Sequence, residues 1–154
     1  MTIIGIDPGE KGGIAILYQT DGLINTFNMP ETYPDIYNLL KNITLTSAHG
    51  VKCYLEDVGK GVPGQSSSAT AKFARHNGHL EMALYALGIQ TEKVTPQKWQ
   101  KFYSNQVGKS TGLSKTEWKN KLKGLAQALY PTEKITLSTA DAVLIAHNGK
   151  KQEV

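Results

Sequence analysis

Apolar residues crowd positions 2–7 (TIIGID) too continuously for the stripe of an amphipathic helix, and so short a run reads as a buried strand. Asp7-Pro8-Gly9 breaks the run with turn-forming residues. Positions 12–18 (GGIAILY) read as a second strand, Asp21-Gly22 as a hairpin signal, and 23–29 as the returning strand, which together predict an antiparallel meander. The period then changes. Ile36, Leu39, Leu40 and Ile43 recur at helical spacing within 33–43. A fourth strand follows at 51–55, ending on Glu56-Asp57, and a Gly/Pro/Ser-rich loop occupies 59–68. Residues 69–87 read as a helix closed by Gly88, and 89–94 as a fifth strand. Thr95-Pro96 starts another helix as N-cap and first-turn proline, and a polar loop covers 104–112. Ser114-Lys115-Thr116-Glu117 and Ser138-Thr139-Ala140-Asp141 each have the form of a capping box, opening helices to about 129 and 148.

The order β-β-β-α-β-α-β-α-α-α predicts an α/β fold: a five-stranded mixed sheet, its first three strands antiparallel, with helices on its faces. At 154 residues the chain suits one domain. No apolar run approaches the roughly 20 residues that span a bilayer, and no secretory signal precedes the first strand. Cys53 is the single cysteine, so an internal disulfide is excluded and a reducing, cytoplasmic setting is expected.

Charge adds a partner to this picture. The net charge is +4, but residues 92–123 carry eight lysines against Glu92 and Glu117, or +6, leaving −2 for the rest. A basic segment beside an acidic remainder suits a polyanionic partner and a separate cation site.

Three acids stand at strategic places. Asp7 ends the first strand, Glu56 ends the fourth, and Asp141 lies in the first turn of the last helix. Strands in such a sheet can set the first two carboxylates side by side, and a helix across the sheet can deliver the third. Hard cations such as Mg²⁺ take oxygen ligands, and two ions roughly 3.5–4 Å apart can drive phosphodiester hydrolysis. Singly, each acid also has an ordinary reading, as a turn residue, a solvated strand end or a helix cap.

The stretch IIGIDPGEKGGIAIL resembles the first motif of the RuvC family of Holliday-junction resolvases. YLED supplies a glutamate at a strand end, as in the second motif, and TADAVLIAHNG resembles the last, acidic helix. PGQSSSATAKFARHNG, LGI and VTPQKW follow the order seen in phage and prophage members. The resemblance covers roughly residues 2–149. It implies a ribonuclease-H-like fold and a Mg²⁺-dependent (or Mn²⁺-dependent) endonuclease with Asp7, Glu56 and Asp141 as catalytic and metal residues. It further implies a homodimer nicking paired strands of a four-way DNA junction, in the host cytoplasm if phage-encoded, with helix 69–87 as the candidate interface. The family's fourth metal residue, an Asp or His just before the last aspartate, is missing from Thr136-Leu137-Ser138-Thr139, and Asp57 and His147 are the available substitutes.

Phosphate contacts are expected from the loop residues Lys60, Gln65, Ser66 and Ser67, whose amide and hydroxyl groups can donate to phosphate oxygens. Lys72 and Arg75 follow on the next helix, and Arg75 is the chain's only arginine. Phe73 between them can act as a wedge or as core. Lys98, Lys101, Lys115 and Lys119 sit near helix starts, where the resemblance places lysines against the scissile backbone. Gly108-Lys109-Ser110-Thr111 is not a nucleotide-binding P-loop, because Tyr103 stands where that motif needs glycine and a helix precedes it. The competing readings are a branched-DNA-binding protein that does not cut, a nuclease for RNA or flaps, and an actin-like phosphotransferase.

Overall fold

The computed structural model describes residues 1–59 and 63–153. The elements run β1 (Thr2–Asp7), β2 (Gly13–Tyr18), β3 (Ile24–Asn28), α1 (Tyr33–Thr46), β4 (Val51–Glu56) and α2 (Ser67–Ala86). Then come β5 (Gln90–Val94), α3 (Pro96–Phe102), α4 (Ser104–Val107), α5 (Lys115–Leu129) and α6 (Ala140–Gln152). The five strands form one sheet in the order β3-β2-β1-β4-β5. β1–β2 and β2–β3 pair antiparallel, while β1–β4 and β4–β5 pair parallel. This is the mixed sheet expected from the sequence.

Helix starts follow local chemistry. Thr32, Ser66, Thr95 and Ser114 each accept a backbone N–H from three residues on, and Pro96 occupies the first turn of α3. The Ser66 cap moves the start of α2 two residues ahead of the expected one. Gly88, at φ 68°, ends that helix as the sequence foretells. Two expectations fail. Residues 104–107 form α4 rather than loop, because Val107 reaches the core and extends the helical path. The second capping box does not form: Thr139 is the N-cap of α6, and its hydroxyl accepts from the Thr136 amide at 3.0 Å instead of from the helix.

The sheet is covered on both faces, which is why its strands are apolar almost throughout. Ile4, Ile6, Ile14, Ile16, Cys53 and Leu55 pack under α1 and α2. Ile3, Ala15, Leu17, Tyr54 and Val94 pack under α3, α5 and α6. The seat of α6 depends on missing side chains. A Cβ on Gly5 would strike the Ala142 carbonyl and lie 2.6 Å from the Ala146 nitrogen. One on Gly13 would lie 2.5 Å from the Ser138 carbonyl oxygen. Glycine at both positions lets the helix lie directly on β1 and β2, which carries its first turn to one end of the sheet. Among the described residues no helix is long and apolar enough to cross a membrane.

Candidate active site

The site grows from the sheet register. Gly5 lies opposite Tyr54 on the neighbouring parallel strand, and Ile6 opposite Leu55. One further residue brings Asp7 and Glu56 level at the carboxyl ends of β1 and β4. Side chains alternate along a strand, so Asp7 shares the face of Ile3 and Gly5, and Glu56 shares that of Tyr54. That face is the one α6 covers, and Asp141 opens α6.

All three carboxyls are raised, each chiefly by burial. Asp7 is held well above the ordinary aspartate range, first by burial, then by the charges of Asp141 and Glu56, with Lys119 opposing. Burial is also the leading cause at Glu56, pushed up to about 7; the Trp99 hydrogen bond lowers it, Asp141 raises it and Lys119 lowers it. Burial raises Asp141, again against Lys119. Each shift has the sign of a cluster short of positive charge.

Trp99 was not anticipated from the sequence as a site residue. Its ring is fully buried, and its Nε1–H donates to Glu56 Oε2 at 2.7 Å. The bond fixes one Glu56 oxygen and leaves the other for a ligand. The clue lay in VTPQKW: Thr95 and Pro96 start α3 where β5 ends, and three residues later the indole arrives over the end of β4. Lys119 was expected among the phosphate contacts, and it acts electrostatically on all three acids.

Beside the acids lies an open cavity of about 540 Å³, lined by Asp7, Gly9, Gln65, Phe73, His76 and Lys119 among others. Gln65, Lys72 and Lys119 thus share one wall system with Asp7. Phe73 is half-buried and lies close over Gly9. Ser66 spends its hydroxyl on the Ala69 amide, while Ser67 and Arg75 are exposed on α2 outside this cavity. Lys98 faces Glu92 at 3.6 Å. Lys101 and Lys115 are exposed at the last turn of α3 and the start of α5. Lys60 lies outside the described residues.

The two substitute ligands lie elsewhere. Asp57 Oδ1 accepts from the Gly59 amide at 3.0 Å, a local turn on the pleat opposite Glu56. His147 Nδ1 meets the Tyr130 hydroxyl at 2.8 Å, and its ring packs against Tyr103 and Tyr130. Neither figures among the charges acting on the three acids.

Carboxylate oxygens with excess negative charge suit a hard divalent cation in chemistry and sign. The arrangement is not a finished cage: among the described residues, no three Asp, Glu, His or Cys side chains converge closely enough to hold an ion.

The sequence matches no protein-family profile, and no curated protein matches it significantly. Among solved structures it resembles RuvC of Thermus thermophilus in complex with a Holliday-junction substrate, with TM-score 0.61 and 14% identity over 96% of this chain and 91% of that one. A second Thermus thermophilus RuvC structure gives TM-score 0.56 and 14% identity over 96% and 92%. At such identity the likeness establishes the fold, which is ribonuclease-H-like.

Proposed function

We propose that this chain is a divalent-metal-dependent endonuclease that hydrolyses phosphodiester bonds in branched DNA, four-way junctions foremost. The observation that carries this reading is the placement of Asp7, Glu56 and Asp141 at one end of the sheet, each raised chiefly by burial and each opposed by Lys119. The fold it shares with junction-bound RuvC supports the choice of substrate.

Asp7, Glu56 and Asp141 would hold the cation. Once bound, that ion would supply Lewis-acid stabilisation to the phosphoryl oxygens and to the attacking water. Lys119 neutralises part of the carboxylate charge and offers an ammonium to the scissile phosphate. Trp99 holds Glu56 in one orientation, so that the free oxygen need not be ordered anew at each turnover. Lys72 and Gln65 extend the anion-binding wall. Two cuts across a junction call for two such sites, and the exposed Met82 and Tyr85 on α2 support that helix as the homodimer face.

A second reading is favoured by one observation, the absence of a preformed three-ligand cage among the described residues. It is a protein of this fold that grips branched DNA without cutting it. One assay separates the two: a synthetic four-way junction, a flap, a plain duplex and an RNA–DNA hybrid, each with and without Mg²⁺. Mg²⁺-dependent cleavage of the junction is the expected outcome. Binding with no cleavage in Mg²⁺ or Mn²⁺ establishes the second reading, and preferential cutting of hybrid or flap moves the substrate class.

A further inference from the structure

Helix α2 divides into two parts. Its buried side chains are His76, Leu80 and Leu84, and none of residues 67–75 is buried. α1 begins only beside His79, whose ring centroid lies 3.7 Å from that of Tyr33. Residues 67–78 therefore reach past the start of α1, by about 18 Å at 1.5 Å of rise per residue. This overhang supplies one wall of the cavity beside Asp7, through Ala69, Lys72, Phe73 and His76, and residues 8–12 supply another. Among the described residues its one ion pair to the body joins Lys72 to Glu10 at 2.9 Å, and both side chains are largely exposed.

Three features meet where the overhang leaves the body. Gly78 stands there in mid-helix, where glycine is less stable than alanine. A Cβ on it would meet nothing within 4 Å, and its φ is not positive, so neither packing nor backbone geometry calls for glycine. The two residues before it hold the only buried side-chain polar atoms without a hydrogen-bond partner among the described residues, His76 Nε2 and Asn77 Oδ1. An unpaired polar atom sealed from water destabilises the arrangement that seals it. Gly124 in α5 is as open, but no such atom adjoins it. A swing of the overhang that lets water reach the two atoms removes the penalty, and glycine lowers the resistance of the helix to bending there.

We infer that residues 67–75 form an arm that swings about residues 76–78 and gates the groove beside the three acids. In the closed position Glu10 holds Lys72. Opening parts that pair, wets His76 Nε2 and Asn77 Oδ1, and frees the Lys72 ammonium for a phosphate of the entering strand. An exposed ion pair is a weak latch, which suits a gate that a polyanion opens. The gate's use for DNA rests on the branched-DNA reading above, whereas the hinge does not.

The test places spin labels at Ala71→Cys on the arm and Asn42→Cys on α1, both exposed positions, while buried Cys53 stays unlabelled. Distances are read by double electron–electron resonance in EDTA, and association with a synthetic four-way junction is timed by stopped-flow anisotropy. The free chain should show a main distance and a minor shifted one, and the junction should make the shifted one dominant. Gly78→Ala, which clashes with nothing, should deplete the shifted population and slow association about fivefold, the worth of a helix-interior glycine. Glu10→Gln should enrich that population in the free chain and speed association about twofold. One unchanged distance in every sample overturns the hinge. Distances that shift while both variants associate at the natural rate overturn the gate. A free chain that shows both distances yet binds no branched DNA overturns the branched-DNA reading and the gate with it, and leaves the hinge standing.

Discussion

Strand β4 carries a polar cluster at each end of one face, and the two behave in opposite ways. At its start Lys52 pairs with Glu153 and, at 3.6 Å, with Glu92, while the Tyr54 hydroxyl also donates to Glu153. Opposite charges meet, and Lys52 is raised and Glu153 lowered, chiefly by their mutual hydrogen bond. Each shift favours the charged form. At its end Glu56 joins Asp7 and Asp141, and every shift disfavours the charged form. A single residue, Leu55, separates Tyr54, inside the satisfied cluster, from Glu56, inside the frustrated one. Polar groups that satisfy one another serve the fold. Groups left in mutual conflict on a rigid scaffold mark a place where something else must bind.

This contrast can be broken experimentally. The largest effect is expected for Asp141→Asn, which should lower junction cleavage in Mg²⁺ at least about a thousandfold with junction binding kept. The cation-free protein should also melt at a higher temperature, because a source of repulsion is gone. Cleavage at the normal rate would remove Asp141 from the mechanism.

The next effect concerns pH. Glu56 titrates near 7 when folded and near 4.5 as a free side chain, so between those values the folded chain holds the extra proton. Stability in EDTA should therefore fall as pH rises from 5 to 8, by about 2–3 kcal/mol from this residue. Asp7 and Asp141 act in the same direction. Urea unfolding of Glu56→Gln should show a flatter slope than the natural chain, and an equal slope would place the acid's burial in doubt.

Trp99→Phe sharpens the contrast further. Losing the donor to Glu56 should raise that carboxyl, shift the acidic limb of the cleavage–pH profile upward by about one unit, and slow cleavage near neutrality about tenfold. A rate loss with an unmoved profile would mean that Trp99 only fills the core. The smallest effect belongs to the satisfied end. Lys52→Met should cost about 1 kcal/mol in urea unfolding and leave cleavage unchanged.

Much of this was legible along the chain. The span of β1 matches its apolar run, and the Ser114 cap fixes the start of α5, because each is decided by neighbours within a few residues. Helix α4 was not legible, since its reason is the burial of Val107 by distant elements. The Ser138–Asp141 box misled for another reason: the Thr136 amide donates to the Thr139 hydroxyl, which is then not spent on the helix. Motif resemblance brought out the three acids but not Trp99, which reaches Glu56 only after β5 has paired beside β4.

By itself the sequence determined the type and order of the elements, the acids at their ends and the basic stretch after β5, because periodicity, caps and turns act over a few residues. Only the tertiary structure decided which of those groups share an environment. Strand register set Glu56 level with Asp7, two glycines let α6 bring Asp141 over them, and the pleat sent Asp57 away. Charge–charge energies depend on separation in space and on exclusion of water, and neither can be read from separation along the chain.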